Sequence, residues 1–235
     1  MLSIDCRVPL EKVELIGNDL GLPQDFKKPL IFKYPEYFSI KDINGRTYLY
    51  LESWDSSLAV TALEERFARE GMLRSAGGQK KIRIMKDGNY LGPFAFRTCY
   101  AAGFRPNNSY LEELQKWQKM EFPSPYLDGR RFEVADPKTR KRVVAVLHEL
   151  LSLTMEKRMV SAKLDAFHSE YRLPLLLCLI KHHSTFYIIN KGARSTVFLK
   201  EAYDGTRLVD KCPILMFNDK FVALSGRNDI SHATI

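Results

Sequence analysis

Hydrophobic residues recur first at helical spacing and then in alternation in two separate stretches of the chain. Near the N-terminus, Leu10, Ile16 and Leu20 fall on one face of a predicted helix. A Leu-Pro step follows at Leu22, and because the residue before proline avoids helical geometry, the helix is expected to end there. A second short helix should begin after the proline. Two β-rich runs then flank the Asn-Gly pair that starts at Asn44, which is typical of a β-hairpin turn.

The same order of elements returns towards the C-terminus. The stretch Leu164–Asp204 matches Val13–Asp55 in its helical stripe, in its Leu-Pro step at Leu173 and in a hairpin whose turn begins at Lys191. Matches of this length indicate an internal repeat. We therefore predict an α+β protein in which two helix-turn-helix-hairpin repeat units flank a basic, mixed α/β middle segment. The predicted boundaries are 1–213 for the domain, 9–56 and 159–210 for the repeat units, 57–158 for the middle segment and 214–235 for a C-terminal tail.

Three helices and one strand are predicted in the middle segment. The helices are Ser57–Gly71, one that is capped by Asn108 or Ser109 and runs to Met120, and Lys138–Arg158, and the strand is Phe94–Tyr100. In the first of these helices, Leu58 is expected to face the core. The first turn of the last helix carries four cations, although the helix dipole favours acidic residues there. Such a local conflict suggests an anionic ligand.

The positive charge of the chain is concentrated in this middle segment. The chain has 36 Lys and Arg against 28 Asp and Glu, a formal net charge of +8, and Lys80–Arg142 alone holds 14 cations against 7 acidic residues. Aromatic residues are interleaved with the cations, as in surfaces that pair with phosphates and stack on unpaired bases. The alternative is that the rings form core and the basic runs are a solvated face. The candidate RNA-binding residues are Lys80, Lys81, Arg83, Lys86, Arg130, Arg131, Lys138, Arg140, Lys141 and Arg142.

Motifs for catalysis and metal binding are absent from the sequence. It contains no phosphate-cradling glycine loop, nucleophile elbow or zinc-protease helix. The four cysteines occur singly, which argues against a zinc ribbon. A thiol hydrolase that uses Cys99 or Cys178 with a histidine is the remaining enzyme hypothesis, but neither cysteine has an activating context. The longest apolar run, Leu173–Ile180, is too short to span a membrane. We expect no enzyme activity, no catalytic residues, no metal, no cofactor, no small-molecule substrate and no membrane partner.

Three segments together resemble the plant organelle RNA recognition domain, the family of the What's This Factor proteins. They are RVPLEKVELIGNDLGLPQDFKKPLIFKYPEYFSI, WQKMEFPSPY, and VLHELLSLTMEKRM with the downstream run that ends in VFLKEAYDGTRLV. The resemblance covers roughly Arg7–Pro213. It implies an RNA-binding protein without enzymatic activity that promotes splicing of group II introns in plant mitochondria or chloroplasts. Its implied partners are organellar intron transcripts and, in addition, other splicing factors.

Compared with the family that it resembles, this sequence lacks two expected segments. Members usually carry an organelle transit peptide and a further basic, helical repeat ahead of the point where this chain starts, so a truncated gene model or a shortened paralogue is expected. The implied location is a plant organelle, with the mitochondrion favoured over the chloroplast. The alternative function is a protein-interaction module of an organellar splicing complex that makes no direct RNA contact.

Overall fold

The computed structural model describes residues 2–3, 5–74, 83–84, 90–100, 103–127, 133, 135–171 and 175–224. The N-terminal and middle elements are β1 (Arg7–Pro9), α1 (Leu10–Gly17), a π-helical turn (Lys27–Ile31), β2 (Phe38–Ile43), β3 (Arg46–Leu51), a 3-10 turn (Ser56–Leu58), α2 (Ala62–Arg74), β4 (Arg83–Ile84), β5 (Tyr90–Leu91), α3 (Asn108–Lys119) and α4 (Pro137–Leu153). The C-terminal elements are β6 (Arg158–Val160), α5 (Ser161–Asp165), α6 (His168–Tyr171), α7 (Leu175–Lys181), β7 (Phe186–Lys191), β8 (Arg194–Leu199), a 3-10 turn (Lys200–Ala202), β9 (Tyr203–Asp204), β10 (Arg207–Leu208) and α8 (Pro213–Leu224).

The N-terminal sheet is antiparallel, with β3 between β1 and β2. β2 and β3 form the hairpin that the sequence predicts, with Phe38 opposite Leu51. Asn44 and Gly45 both have positive φ angles in the turn, as a type I′ turn requires. The sequence pattern did not indicate β1, because a strand of three residues is too short to produce a periodic signal.

The C-terminal sheet has the same strand order, with β8 between β6 and β7. Its hairpin is also confirmed, with Phe186 opposite Leu199 and Gly192 at positive φ in the turn. Arg7 in the N-terminal sheet and Arg158 in the C-terminal sheet hold the same position, each opposite an aromatic residue of the central strand. The two sheets therefore present outward faces that can be compared position by position.

The main hydrophobic core is built around α4. Leu147 and Leu151 of this helix are fully buried and belong to one cluster with Leu164, Phe167 and Val197. Burying this face of α4 removes apolar surface from water and stabilises the cluster. A smaller cluster against the N-terminal sheet consists of Leu10, Phe26 and Ile31, with Val13, Leu22, Leu30, Phe38, Ile40 and Leu49 packed on it.

The ends of α3 and α4 differ from the sequence prediction. Instead of Lys138–Arg158, α4 begins after Asp136, whose carboxylate accepts a hydrogen bond from a backbone N–H of the first turn. The helix ends at Leu153 because Thr154 adopts an extended conformation. α3 is capped by Asn107, one residue before the predicted cap. Both helices are present, but Arg158, the predicted last residue of α4, is instead the first residue of strand β6.

The start of α2 is set by a capping box that the sequence analysis overlooked. The backbone N–H of Thr61 donates to the Glu64 carboxylate at 2.7 Å, and the N–H of Glu64 donates to the Thr61 hydroxyl at 3.2 Å. The helix therefore starts at Ala62, not at Ser57, and it continues past Gly71. Leu58 lies before it and is 64% exposed, so the prediction that Leu58 faces the core is wrong.

The sequence predicts a strand over Phe94–Tyr100. This prediction is wrong, because the segment joins no sheet in the described part of the chain. Instead, the side-chain amide of Gln118 on α3 bonds both backbone groups of Phe96, accepting from N–H at 2.8 Å and donating to C=O at 2.6 Å. Farther along, the N–H of Cys99 donates to the carbonyl of Ser184 at 2.8 Å. The side chain of Gln118 thus makes the hydrogen bonds that a neighbouring strand would make. Hydrophobic alternation in the sequence does not distinguish these two kinds of partner.

The architecture is mixed α+β with small antiparallel sheets, as predicted. Between the first strand and the hairpin, the N-terminal sheet has α1 and a π-helical turn, whereas the C-terminal sheet has α5, α6 and α7. The Leu-Pro step at Leu173 lies outside the described residues. Part of the predicted tail is helical, since α8 runs to Leu224. Among the described helices, none has both the length and the apolarity to cross a membrane.

Candidate nucleic-acid interface

Ten residues are predicted to contact phosphate, and the structure describes five of them. Lys80, Lys81, Lys86, Arg130 and Arg131 lie outside the described residues. Of the other five, one lies in a short hairpin and four lie in the first turns of α4. Arg83 is the one in the hairpin, on β4 opposite Leu91 of β5.

Lys138 and Arg140 are exposed on the first turn of α4. Arg140 donates one hydrogen bond through Nη2 to the carbonyl of Ala135 at 2.8 Å, just before the helix. Both cationic groups lie at the surface, where a phosphate can approach them.

Lys141 has no exposed surface, so it is not the phosphate contact that the sequence analysis predicted. Its Nζ donates to three backbone carbonyls at the end of α3, those of Trp117 at 2.6 Å, Gln118 at 3.0 Å and Met120 at 2.8 Å. Carbonyls at a helix C-terminus lack intrahelical donors, and the ammonium supplies them. Burial lowers the pKa of Lys141 to about 7.

Aromatic rings complete the surroundings of this ammonium. Nζ of Lys141 lies 4.8 Å from the ring centroid of Trp117, 5.3 Å from that of Phe122 and 5.9 Å from that of Phe96. A desolvated cation over aromatic faces gains cation–π attraction that offsets part of the cost of its burial. Phe96 is therefore a core residue, as the alternative interpretation held, and Trp117 and Phe122 are partly buried against the same core.

Arg142 is also turned inward, against the prediction. Its guanidinium donates to the carbonyls of Ser124 at 3.2 Å, Pro125 at 2.9 Å and Leu127 at 2.6 Å. A guanidinium has five N–H donors in a fixed plane, so one arginine side chain can satisfy several carbonyls of this loop at once. Lys141 and Arg142 thus fasten the chain between α3 and residue 127 to α4.

A basic groove lies over the outward face of the C-terminal sheet, with a volume of about 860 Å³. The β9–β10 hairpin and α8 form its other walls. Five cations and two carboxylates line it, so its local charge is +3. The charged lining residues are Arg158, Lys191, Arg194, Arg207, Lys211, Glu156 and Asp219.

Three of these cations have no acidic partner among the described residues. Arg158 pairs with Glu156 at 2.7 Å, and Lys211 pairs with Asp219 at 2.6 Å. Lys191, Arg194 and Arg207 form no such pair within the described ranges. Lys191 and Arg194 face each other across the end of the β7–β8 hairpin, and Arg207 comes from β10. The uncompensated charge of the groove therefore comes from two separate hairpins.

Aromatic rings form part of the floor of the groove. Phe198 is buried, and its ring centroid lies 5.1 Å from that of the partly exposed Tyr187 and 5.5 Å from that of Tyr203. Arg158 extends over Phe198, with Cζ 5.5 Å from the ring centroid. The hydroxyl of Tyr203 donates to the backbone carbonyl of Glu156, and burial raises the pKa of Tyr203 to about 12. Tyr187 and Tyr203 are both partly exposed members of this floor, and the hydroxyl of Tyr203 is held by the Glu156 carbonyl.

The corresponding face of the N-terminal sheet is neutralised by ion pairs. Lys41 pairs with Glu52 at 2.6 Å, and Arg46 pairs with Glu11. Arg7 lies 3.6 Å from the carboxylate of Asp5 in this sheet. Arg46 occupies the position that Arg194 holds in the other sheet, since each is the first residue after the hairpin turn. The hairpin cations of the N-terminal sheet are thus compensated, whereas Lys191 and Arg194 of the C-terminal hairpin are not compensated within the described ranges.

The sequence analysis missed the groove because net charge was counted along the chain. Lys191, Arg194 and Arg207 do not form a dense basic run in the sequence, and the fold brings them together around one groove. The available signal was alternation: Tyr187, Ile189 and Lys191 share one face of β7. Applied to both hairpins, this alternation identifies the outward residues of the groove.

One of the two cysteines proposed for a thiol hydrolase is buried. Burial raises the pKa of the Cys178 thiol to about 12, which opposes formation of a thiolate. His148 hydrogen-bonds through Nε2 to Glu201 at 2.7 Å, and Glu201 also pairs with Arg66. This buried cluster ties α2 and α4 to the end of the C-terminal sheet. Within the described ranges, no group of three or more His, Cys, Asp and Glu side chains is arranged to hold a metal ion.

Comparison with known proteins gives one family. The sequence profile described as plant organelle RNA recognition domain matches residues 1–229. The chain is 32% identical over 230 residues to protein WHAT'S THIS FACTOR 1 homolog, chloroplastic, of Oryza sativa subsp. japonica, and 34% identical over 226 residues to the protein of the same name in Arabidopsis thaliana. Both alignments cover 95% of this chain but only 43% and 42% of those proteins, so the chain spans less than half of their length.

A mitochondrial protein is also similar. Protein WHAT'S THIS FACTOR 9, mitochondrial, of Arabidopsis thaliana is 29% identical over 241 residues, which cover 98% of this chain and 57% of that protein. No solved structure matches the chain.

Proposed function

Because the chain belongs to the plant organelle RNA recognition domain family, we propose that it binds RNA and that the groove over the C-terminal sheet is a principal contact. The observation that carries this proposal is the presence of three cations, Lys191, Arg194 and Arg207, without acidic partners among the described residues. Each phosphate that such a cation neutralises releases condensed counterions, which drives binding. Cations already held in ion pairs gain less, because the existing pair competes with the phosphate.

The proposed role is that of a non-catalytic factor that holds organellar group II intron RNA in a productive fold while the RNA supplies the chemistry. The family description supports RNA as the partner. The named locations of the similar proteins, chloroplastic and mitochondrial, support a plant organelle. They give no support to the expected preference for the mitochondrion.

The exposed start of α4 belongs to the same proposed interface. Lys138 and Arg140 remain candidate phosphate contacts, together with Arg83 and the candidates outside the described residues. Lys141 and Arg142 are not candidate phosphate contacts, because their donors are hydrogen-bonded to backbone carbonyls inside the protein. The interface thus combines the groove with a smaller basic site on α4.

We also propose that residues 9–56 and 159–210 are repeat units. The support is that both three-stranded sheets share strand order and that their hairpins share register up to the turn. On this interpretation the two units have diverged in charge, because Lys41 and Arg46 of the N-terminal hairpin have acidic partners, whereas Lys191 and Arg194 of the C-terminal hairpin have none among the described residues. The divergence supplies a matched control for the binding experiment.

The experiment compares two triple variants with the unmodified chain. One is Lys191→Gln, Arg194→Gln and Arg207→Gln in the groove. The matched control replaces Arg7, Lys41 and Arg46 on the N-terminal sheet by Gln in the same way. Affinity for a labelled intron RNA is measured by fluorescence anisotropy at several salt concentrations, with thermal unfolding as the check on folding.

The groove variant is expected to weaken binding and to reduce the slope of log affinity against log salt by about 2 to 3. The control variant is expected to change the slope by less than about 1, because its cations are compensated. Equal slopes in all three proteins would refute the groove as the contact. Failure of the unmodified chain to retain RNA at moderate salt would instead favour the protein-interaction module.

A further inference from the structure

Side chains of different chemistry follow one another along the groove. Tyr187, Ile189 and Lys191 point outward from β7 at successive alternate positions. At about 3.3 Å per residue, the tyrosine and the lysine lie about 13 Å apart along the strand. A ligand that fills the groove therefore meets an aromatic ring and an apolar side chain before it reaches the cations.

The cations stand at the rim and the apolar groups stand at the floor. Arg194 lies beside Lys191 at the hairpin end, and Arg207 lies on the wall formed by β10. Leu208 and Leu215 add apolar surface between the walls. A charged rim around an apolar and aromatic floor suits a ligand that carries both negative charge and flat apolar faces.

An RNA duplex does not have this combination on its surface. Its bases are stacked and paired inside, and it offers phosphates and ribose hydroxyls to a protein. A groove of about 860 Å³ has the volume of a site for a small organic ligand, which is too small to enclose a double helix. A duplex could contact the cations at the rim, but it would leave the ring of Tyr187 uncovered.

From this arrangement, and resting on the proposed function, we infer that the groove binds unpaired RNA, with a base stacked on Tyr187 and adjacent phosphates at Lys191, Arg194 and Arg207. The partner is a single-stranded segment of a few nucleotides within a larger RNA. An unpaired strand can turn a base face to the floor while its phosphates remain at the rim. The groove would thus distinguish loops and linkers of an RNA from its helices.

The test uses one short oligoribonucleotide of mixed sequence, offered to the full chain either alone or annealed to its complement. The unmodified chain is expected to bind the single strand at least 10-fold more tightly than the duplex. Tyr187→Ala should weaken single-strand binding roughly 5- to 150-fold, the range for loss of one stacked base. Tyr187→Phe keeps the ring and should bind within about twofold of the unmodified chain. Tyr50→Ala, on the neutralised N-terminal sheet, is the matched control and should have no effect.

A second measurement needs no substitution. The same oligonucleotide with 4-thiouridine in place of uridine is crosslinked by light to the unmodified chain, and crosslinked peptides are identified by mass spectrometry. Crosslinks are expected in the peptides that hold Tyr187 and Arg207. Crosslinks confined to residues 80–142 would overturn the inference, even if Tyr187→Ala failed to fold.

The outcomes separate the inference from the proposed function. If the groove triple variant loses RNA but duplex binds as tightly as single strand and Tyr187→Ala is neutral, the proposed function stands and the inference is overturned. If neither RNA form binds the unmodified chain, both are overturned. Preference for the single strand together with dependence on the Tyr187 ring supports both.

Discussion

Replacing Lys141 by methionine tests whether its ammonium belongs to the interior of the protein. In the structure, Nζ donates to three carbonyls at the end of α3 and the side chain has no exposed surface. Lys141→Met keeps an unbranched chain between the same rings but removes the donors and the titratable charge. The variant therefore separates the contribution of the amine from that of the side-chain volume.

The magnitude follows from the pKa of the buried amine. Burial lowers the pKa of Lys141 from 10.5 to about 7. Between these values the unfolded chain binds a proton that the folded protein has released, so the free energy of unfolding rises with pH. The stabilisation is complete above pH 10.5 and is lost as the pH falls through 7. A full proton difference is worth about 1.4 kcal/mol per pH unit, which gives roughly 2 kcal/mol between pH 7 and pH 9.

Urea unfolding followed by tryptophan fluorescence provides the assay. The free energy of unfolding of the unmodified chain, relative to that of Lys141→Met, is expected to rise by about 2 kcal/mol from pH 7 to pH 9. The difference between the two proteins cancels the contributions of other titrating groups. An identical dependence on pH in both proteins would refute the lowered pKa of the amine.

RNA binding gives an independent readout of the same substitution. Lys141→Met is expected to leave the salt dependence of RNA affinity unchanged, whereas Lys138→Gln should reduce the slope by about 1. The two residues are neighbours in the same basic run, so Lys138 is the matched comparison. A reduction of the same size in both variants would mean that Lys141 contacts phosphate after all.

Other buried polar contacts have effects on stability that denaturation can measure. Glu201→Gln should cost about 3 to 5 kcal/mol, because Arg66 and His148 lose their carboxylate. Burial alone would raise the pKa of Glu201, but His148 and Arg66 lower it to about 2, so the stability of the unmodified chain should fall as the pH drops from 4.5 towards 2; a flat acid limb would contradict this. Gln118→Leu leaves both backbone groups of Phe96 unpaired and should cost about 1 to 3 kcal/mol, and an unchanged urea midpoint would contradict that contact. Arg142→Gln should expose residues 124–127 to limited proteolysis, and a cleavage pattern identical to that of the unmodified chain would count against the three carbonyl contacts.

Local chemistry explains which elements could be predicted. The β2–β3 hairpin is specified by Asn44 and Gly45, whose positive φ angles depend on two residues alone. The end of α4 is different, because Leu153 and Arg158 both continue the helical pattern in sequence. In the structure Thr154 is extended, and Arg158 belongs to a strand that pairs it with Phe198, forty residues away. The local spacing of hydrophobic residues does not indicate a pairing between residues so far apart in the sequence.

The candidate site could be predicted only in part for the same reason. Local charge density identified the exposed Lys138 and Arg140, but it also selected Lys141 and Arg142, whose partners lie on α3 and the following loop. In the opposite direction, Lys191 and Arg207 are isolated cations in sequence. They form a basic groove only after the two hairpins meet over the C-terminal sheet.

The contact between Gln118 and Phe96 has a consequence for the way in which the native protein opens locally. Because the N–H of Phe96 is bonded to a side chain of α3, it can exchange with solvent hydrogen only when that helix moves or the amide turns away. The N–H of Cys99 is held by the carbonyl of Ser184 on the opposite side. Amide exchange at these two positions therefore reports separately on the opening of α3 and of the C-terminal unit, although the two positions lie three residues apart.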